Sequence, residues 1–195
     1  MWTLFDQAGI FAWPLAACSL AAVFIVIERL FALRSGNVIP AEYLDRFSRG
    51  DIPAEGDQSS VAGRIVGFFH NHDVDADQLK AFARLQITRM ERGLFVLDIV
   101  VSAAPLLGLL GTVTGLVKVF GRISPDTGLP ETSMFIEGVA LALSTTMIGL
   151  AIAIPALVFN SYLSRRIDTY AAQLGVGVER LIAAKGEGNR RRRDF

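Results

Sequence analysis

Six of the hydroxyl side chains that stand in charge-free stretches could do chemistry. Ser102, Thr112 and Thr114 lie in one, and Ser144, Thr145 and Thr146 in another. A hydroxyl both donates and accepts, so it can solvate a carboxylate or relay a proton through water without titrating. The ordinary fate of a single Ser or Thr in a helix is to bond back to a carbonyl one turn earlier, or across a helix interface. As a set these hydroxyls follow a pattern: Thr112 is four residues from Gly108 and three from Gly115, and Thr146 is four from Ala142 and three from Gly149. On a helix that spacing puts each hydroxyl on the face with the smallest side chains. Thr112, Thr146, Thr145 and Ser144 are therefore the candidate functional residues. Gly108, Gly111, Gly115 and Gly149 are the candidate packing residues, because small side chains let helices approach closely in lipid. Pro105 and Pro155 each free a backbone carbonyl that must find a partner or water.

The same charge-free stretches contain no carboxylate, histidine or lysine. Proton and ion carriers ordinarily place an ionisable group within the membrane, so any proton moved here needs a titrating group from another chain.

The elements that hold these residues follow from where charge is absent. Gln7 to Ile27 (21 residues), Ile99 to Val117 (19) and Gly138 to Ser164 (27) have no Asp, Glu, Lys or Arg. As helices rising about 1.5 Å per residue, each is long enough to cross a hydrocarbon core of about 30 Å. With 52% hydrophobic and 19% charged residues in a chain of 195, too little polar sequence is left to cover three such helices in water. The expected fold is an all-α membrane protein with three transmembrane helices, long cytoplasmic helical extensions and a homo-oligomeric state.

Lys and Arg number none before the first run, nine in 28–98, two in 118–137 and eight in 165–195. By the positive-inside rule the N-terminus is outside and the C-terminus inside. The expected organisation is a periplasmic N-terminus at 1–9, helices at 10–33, 96–117 and 137–164, and a cytoplasmic loop and helix at 34–95. A periplasmic loop at 118–136 and a cytoplasmic helix with a basic tail at 165–195 complete it. The second and third spans, rich in small residues, are expected to pack inward and the bulkier first span outward. Three helices enclose little, so the inner pair is expected to line the centre of an oligomer.

In the cytoplasmic parts, 37–67 reads as loop and linker with a short helix near Ala41 to Phe47. Leu79, Phe82, Gln86, Met90, Leu94 and Leu97 keep helical spacing behind a cap at Asp75 or Asp77. That helix is expected to run into the second span unless Gly93 breaks it. Helix is also expected after Ser164 through Ile167, Tyr170, Leu174, Val178 and Leu181, with Arg190 to Arg193 as a disordered tail near anionic lipid headgroups. Asp73, Asp75 and Asp77 imitate the opening of a calcium loop, but Gln78 stands where Gly belongs and Arg84 where Glu belongs, so the segment reads as a turn.

Other classes have little support. The single Cys18 cannot form an intrachain disulfide, and with only His70 and His72 a four-ligand zinc site within one chain is not expected. Leu15-Ala16-Ala17-Cys18 imitates a lipoprotein cleavage box, yet apolar residues continue to Ile27, and Cys18 reads as helix packing. Acidic and basic residues balance at 19 each, so nucleic acid is not an expected partner. There is no nucleophile triad and no phosphate loop, and the chain is not expected to be an enzyme or to hold a cofactor or metal.

The run Ala104-Pro105-Leu106-Leu107-Gly108-Leu109-Leu110-Gly111-Thr112-Val113-Thr114-Gly115 closely resembles the MotA/TolQ/ExbB proton-channel family. So does Gly138 through Ala156, with Asn160 beyond it, nearest the ExbB and TolQ branch. The resemblance covers about Phe95 to Ser164. It implies a pentamer in the bacterial inner membrane around two copies of a single-span ExbD/TolR-type partner whose membrane aspartate takes up and releases protons. It further implies a TonB/TolA-like protein that receives the resulting force. By position, Thr112 and Thr146 match the family's two threonines facing that aspartate. The chain departs at Leu141, where the branch usually has a glutamate. The alternatives are a non-conducting scaffold that gathers partner chains, a MotA-like stator for motility, and a channel that needs no partner.

Overall fold

The computed structural model describes residues 9–49, 51, 53, 56–121 and 132–193. Among them there is no strand, and the chain is all-α with three helices long and apolar enough to cross a membrane. The expected segments at 1–9 and 118–136 fall largely outside the described residues.

After a 3-10 turn at Gly9–Phe11, α1 runs Ala12–Ala32 with Pro14 in its first turn, where a missing N–H costs nothing. Four shorter helices follow: α2 (Ser35–Val38), α3 (Ala41–Arg49), α4 (Val61–Asn71) and α5 (Ala76–Glu91). The two long helices are α6, Leu94–Phe120, and α7, Thr132–Arg193. At 27 residues α6 is about 40 Å long, enough to span with margin. Both α6 and α7 continue past their internal prolines, Pro105 and Pro155.

The chain divides into two compact units, Met1–Ile27 with Gly93–Ser161, and Glu28–Arg92 with Tyr162–Phe195. The first is built on α6 and the N-terminal part of α7. Its core holds Leu15, Ala22 and Ile25 of α1, Leu97, Val100 and Ala104 of α6, and Ala142, Ala153 and Ala156 of α7. Its outer surface is apolar: Trp13 is 82% exposed, Phe24 70% and Leu143 67%. So much bare apolar surface requires lipid or other protein chains around it. The first span is less one-sided than expected. It exposes Leu20, Val23 and Phe24 but buries Leu15 and Ile25 in the unit's core.

In the second unit, α5 starts at a capping box. The Asp75 carboxylate accepts from the Gln78 amide at 2.8 Å, and the Gln78 side chain accepts from the Asp75 amide at 3.2 Å. Asp75→Ala should cost about 1 kcal/mol and speed hydrogen exchange of the Gln78 amide, whereas Asp75→Asn should keep both near wild type. Gln86, 2% exposed, is held by the Arg64 guanidinium at 3.2 Å. Phe68 and Phe82 stack with ring centres 4.1 Å apart. On α7 the spaced residues Ile167, Tyr170, Leu174, Val178 and Leu181 are all buried, and the Tyr170 hydroxyl donates to the Leu33 carbonyl at 3.2 Å. Asp73 belongs to no metal cluster among the described residues. The Lys185 ammonium bonds it at 2.5 Å, and that bond with its charge holds the carboxyl below the usual carboxylate range.

Three expectations are corrected. The segment expected as linker contains α4, N-capped by the Ser60 hydroxyl, which accepts from Gly63 N at 3.0 Å. The basic residues Arg190 to Arg193 are part of α7 and not a disordered tail. The helix before the second span stops at Glu91, because Gly93 takes φ 98°, a left-handed conformation that ends a helix and suits glycine.

Candidate functional site

The site is built where α6 and α7 lie backbone against backbone. A methyl group placed on Gly108 would stand 3.0 Å from the Thr145 carbonyl oxygen and the Thr146 Cα. One on Gly115 would stand 2.6 Å from the Gly138 carbonyl oxygen, and one on Gly149 2.5 Å from that of Ala104. One on Gly111 would fall on the Thr145 side chain itself. Only hydrogen fits at Gly111, Gly115 and Gly149, and a methyl group at Gly108 would fit only if its neighbours gave way, which is how small residues stabilise helix pairs in lipid.

The candidate hydroxyls part company in this contact. Thr145 is fully buried, and its hydroxyl is shared between the Leu141 and Ala142 carbonyls of its own helix, both at 3.0 Å. Thr146, one residue on, is half-buried and donates across the helix pair to the Gly108 carbonyl at 3.2 Å. Thr112, also half-buried, stands one turn beyond that carbonyl on α6 and donates to the Leu109 carbonyl at 2.6 Å. Thr114 donates to the Leu110 backbone carbonyl at 2.8 Å and Ser102 to the Asp98 backbone carbonyl at 3.0 Å, both within α6. Ser144 is buried. Each of the bonded hydroxyls keeps acceptor capacity after donating its proton. Thr112 and Thr146 combine that capacity with partial access, and Thr145 does not.

Pro155 lines an apolar groove of about 290 Å³ with Ala151 and Phe159 of α7 and Ser19, Ala22 and Val26 of α1. Pro105 is half-buried in α6.

Sequence reasoning missed one pair. Asp98 closes the charged segment by one residue, so it reads as flank, although the span expected at 96–117 encloses it. In the structure it lies in the second turn of α6, and the Asn160 side-chain amide of α7 donates to its carboxylate at 2.6 Å. The expectation that no acid lies within the spans is therefore corrected. The signal that could have found the pair is spacing: Asp98 precedes Thr112 by 14 residues, and Asn160 follows Thr146 by 14.

Three apolar helices, two of them fused along glycines and carrying partly accessible hydroxyls at the contact, define a polytopic membrane protein with a polar seam. Residues 64–175 match the MotA/TolQ/ExbB proton channel family. The chain is 30% identical to the biopolymer transport protein exbB1 of Vibrio cholerae over 185 residues, 87% of this chain and 81% of that protein. It is 35% identical to ExbB of Aquifex aeolicus over 108 residues, 55% of this chain and 72% of that one. With ExbB of Helicobacter pylori it shares 32% over 100 residues, 50% and 68% of the two chains. The chain belongs to the MotA/TolQ/ExbB proton channel family, in its ExbB/TolQ branch.

Proposed function

We propose that this chain is the channel-forming subunit of a proton-driven motor in a bacterial inner membrane. Five copies surround a single-span partner of ExbD/TolR type, and the assembly energises work on the cell envelope through a TonB/TolA-like protein. The observation that carries the reading is the pair Thr112 and Thr146. They are partly accessible hydroxyls flanking the Gly108 carbonyl, inside the segment that matches the family and with no Asp, Glu, His, Lys or Arg between Ile99 and Val117 or between Gly138 and Ser164. Such a wall can solvate a carboxylate in either protonation state, donating to the anion and accepting from the acid. The titrating group comes from the partner, and the hydroxyls lower the cost of its charged form. One proton crossing 100 mV releases about 2.3 kcal/mol, enough to bias a two-state step about fiftyfold.

The test is reconstitution. Liposomes holding this chain alone should stay proton-tight under a potassium diffusion potential, as read by a trapped pH dye. Liposomes holding the complex with its single-span partner should take up protons, and replacing the partner's membrane aspartate by asparagine should stop that uptake. A leak through this chain that the partner leaves unchanged would sink the reading.

A further inference from the structure

We infer that Asp98 and Asn160 form a proton-accepting station in this chain itself, at the end of the α6–α7 pair nearer Gly93. The inference rests on the proton-channel reading above and adds to it a second titrating site. Asn160 Nδ2 donates to Asp98 Oδ1 at 2.6 Å, while Asn160 Oδ1 is buried and has no partner among the described residues. An unpartnered buried acceptor is costly, and it lies on the same amide group as the donor that holds the carboxylate. Protonation of Asp98 supplies what is missing. An amide carries both donor and acceptor, so when it turns over, Asn160 Oδ1 accepts the new O–H of Asp98. The pair can therefore satisfy the ionised acid and the neutral acid in turn. The step balances simply: the Asp98 carboxylate takes a proton from hydronium, one O–H bond forms, and water is released.

Placement supports the role. Asp98 is exposed on the surface of a helix that is itself a membrane span, where a carboxylate facing lipid is unfavourable, so its face meets water or another chain. Fourteen residues make nearly four turns, so Asp98 lies on nearly the same face of α6 as Thr112, about 21 Å along the axis. Asn160 stands in the same relation to Thr146 on α7. Because the two helices are antiparallel, both steps lead toward one end of the pair, and the station lies in line with the hydroxyl seam.

The charged surroundings are sparse. No ion pair engages Asp98 among the described residues. Within its unit α1 offers no charged residue, and its one titratable side chain is the Cys18 thiol. On α6 Lys118 lies 20 residues further on, and on α7 Glu137 lies 23 residues before Asn160, each about 30 Å or more along its helix. In sequence, Glu28 and Arg29 follow the part of α1 in this unit, Glu91 and Arg92 precede Asp98, and Tyr162, Arg165 and Arg166 follow Asn160. Asp98 is thus bonded to a neutral amide and not locked by a fixed cation, as a group that must gain and lose a proton requires.

The experiment uses the complex of this chain with its single-span partner in liposomes, with proton uptake driven by a potassium diffusion potential. Asp98→Asn keeps a hydrogen-bonding pair but cannot take a proton, so uptake should fall about a hundredfold with assembly unchanged. Asp98→Glu should restore much of it. A wild-type complex that conducts no protons overturns the channel reading, and this inference with it. A wild-type complex that conducts, with an Asp98→Asn complex that conducts equally well, overturns this inference alone and leaves the pair as structural glue. Should Asp98→Asn fail to assemble, infrared difference spectra on acidification decide: a protonated-carboxyl band in the wild-type complex must shift in Asp98→Glu, and a band that does not shift overturns the station.

Discussion

Thr146→Val is expected to reduce proton-driven work about a hundredfold while leaving the oligomer intact. Valine nearly matches threonine in volume and keeps the β-branched shape, so the contact with Gly108 stays filled. What disappears is the hydroxyl that donates to the Gly108 carbonyl at 3.2 Å. That carbonyl sits mid-helix in α6 and keeps its intrahelical bond, so no buried acceptor is orphaned. Cross-helix bonds of this kind in membranes are worth about 0.6 kcal/mol on average, too little to dissolve an assembly held by glycine contacts. Native mass spectrometry of the complex and dye-monitored proton uptake separate the two effects. Thr146→Ser, which keeps the hydroxyl, should conduct. Thr145→Val should conduct too, because the Thr145 hydroxyl is fully buried and turned onto the Leu141 and Ala142 carbonyls. If Thr146→Val loosens the oligomer and wild-type function proceeds without proton flux, the chain is a scaffold and its threonines are interhelical glue.

That division between neighbouring threonines marks the limit of what spacing can reveal. Residues 145 and 146 differ by about 100° around a helix, and a small-residue stripe wide enough to include one includes the other. Only the contact with α6 assigns Thr145 to the core and Thr146 to the seam. The three apolar helices were legible because hydrocarbon excludes charge so strongly that long charge-free runs have few other causes. Helix α4 was not legible, because Gly63 and Gly67 resemble turn punctuation. In the structure Gly63 serves close approach, since an added methyl group there would collide with the backbone of Asp57, and Gly67 is met by Gly56, where a methyl group would collide with the Gly67 backbone. Asp98 went unread for a different reason. A run defined by absence of charge ends at the first charge it meets, even when the helix does not. Gly93 is where the helix ends, and its φ of 98° is what the sequence could only mark as a point of weakness.

Gly111→Val is expected to be the most destabilising single change in the membrane unit. The new Cβ would land on Thr145 Oγ1, Cβ and Cγ2, and Thr145 cannot swing aside, being fully enclosed and bonded to two carbonyls. Valine's stiff χ1 gives no alternative path, so α6 and α7 must separate. Overpacking of this kind costs about 3 kcal/mol, and separation would also draw Thr146 off the Gly108 carbonyl. Gly175→Val supplies the control. It too replaces a glycine inside a long helix, here α7, but a methyl group there meets nothing within 4 Å. The loss of backbone freedom is the same in both, and on helix propensity alone each should gain about 0.4 kcal/mol. Thermal melts of the detergent-solubilised oligomer should therefore move in opposite directions, down sharply for Gly111→Val and unchanged or slightly up for Gly175→Val. Equal melting of the two variants would mean that α6 and α7 do not meet along their glycines. The hydroxyl seam would then lose the contact that positions it.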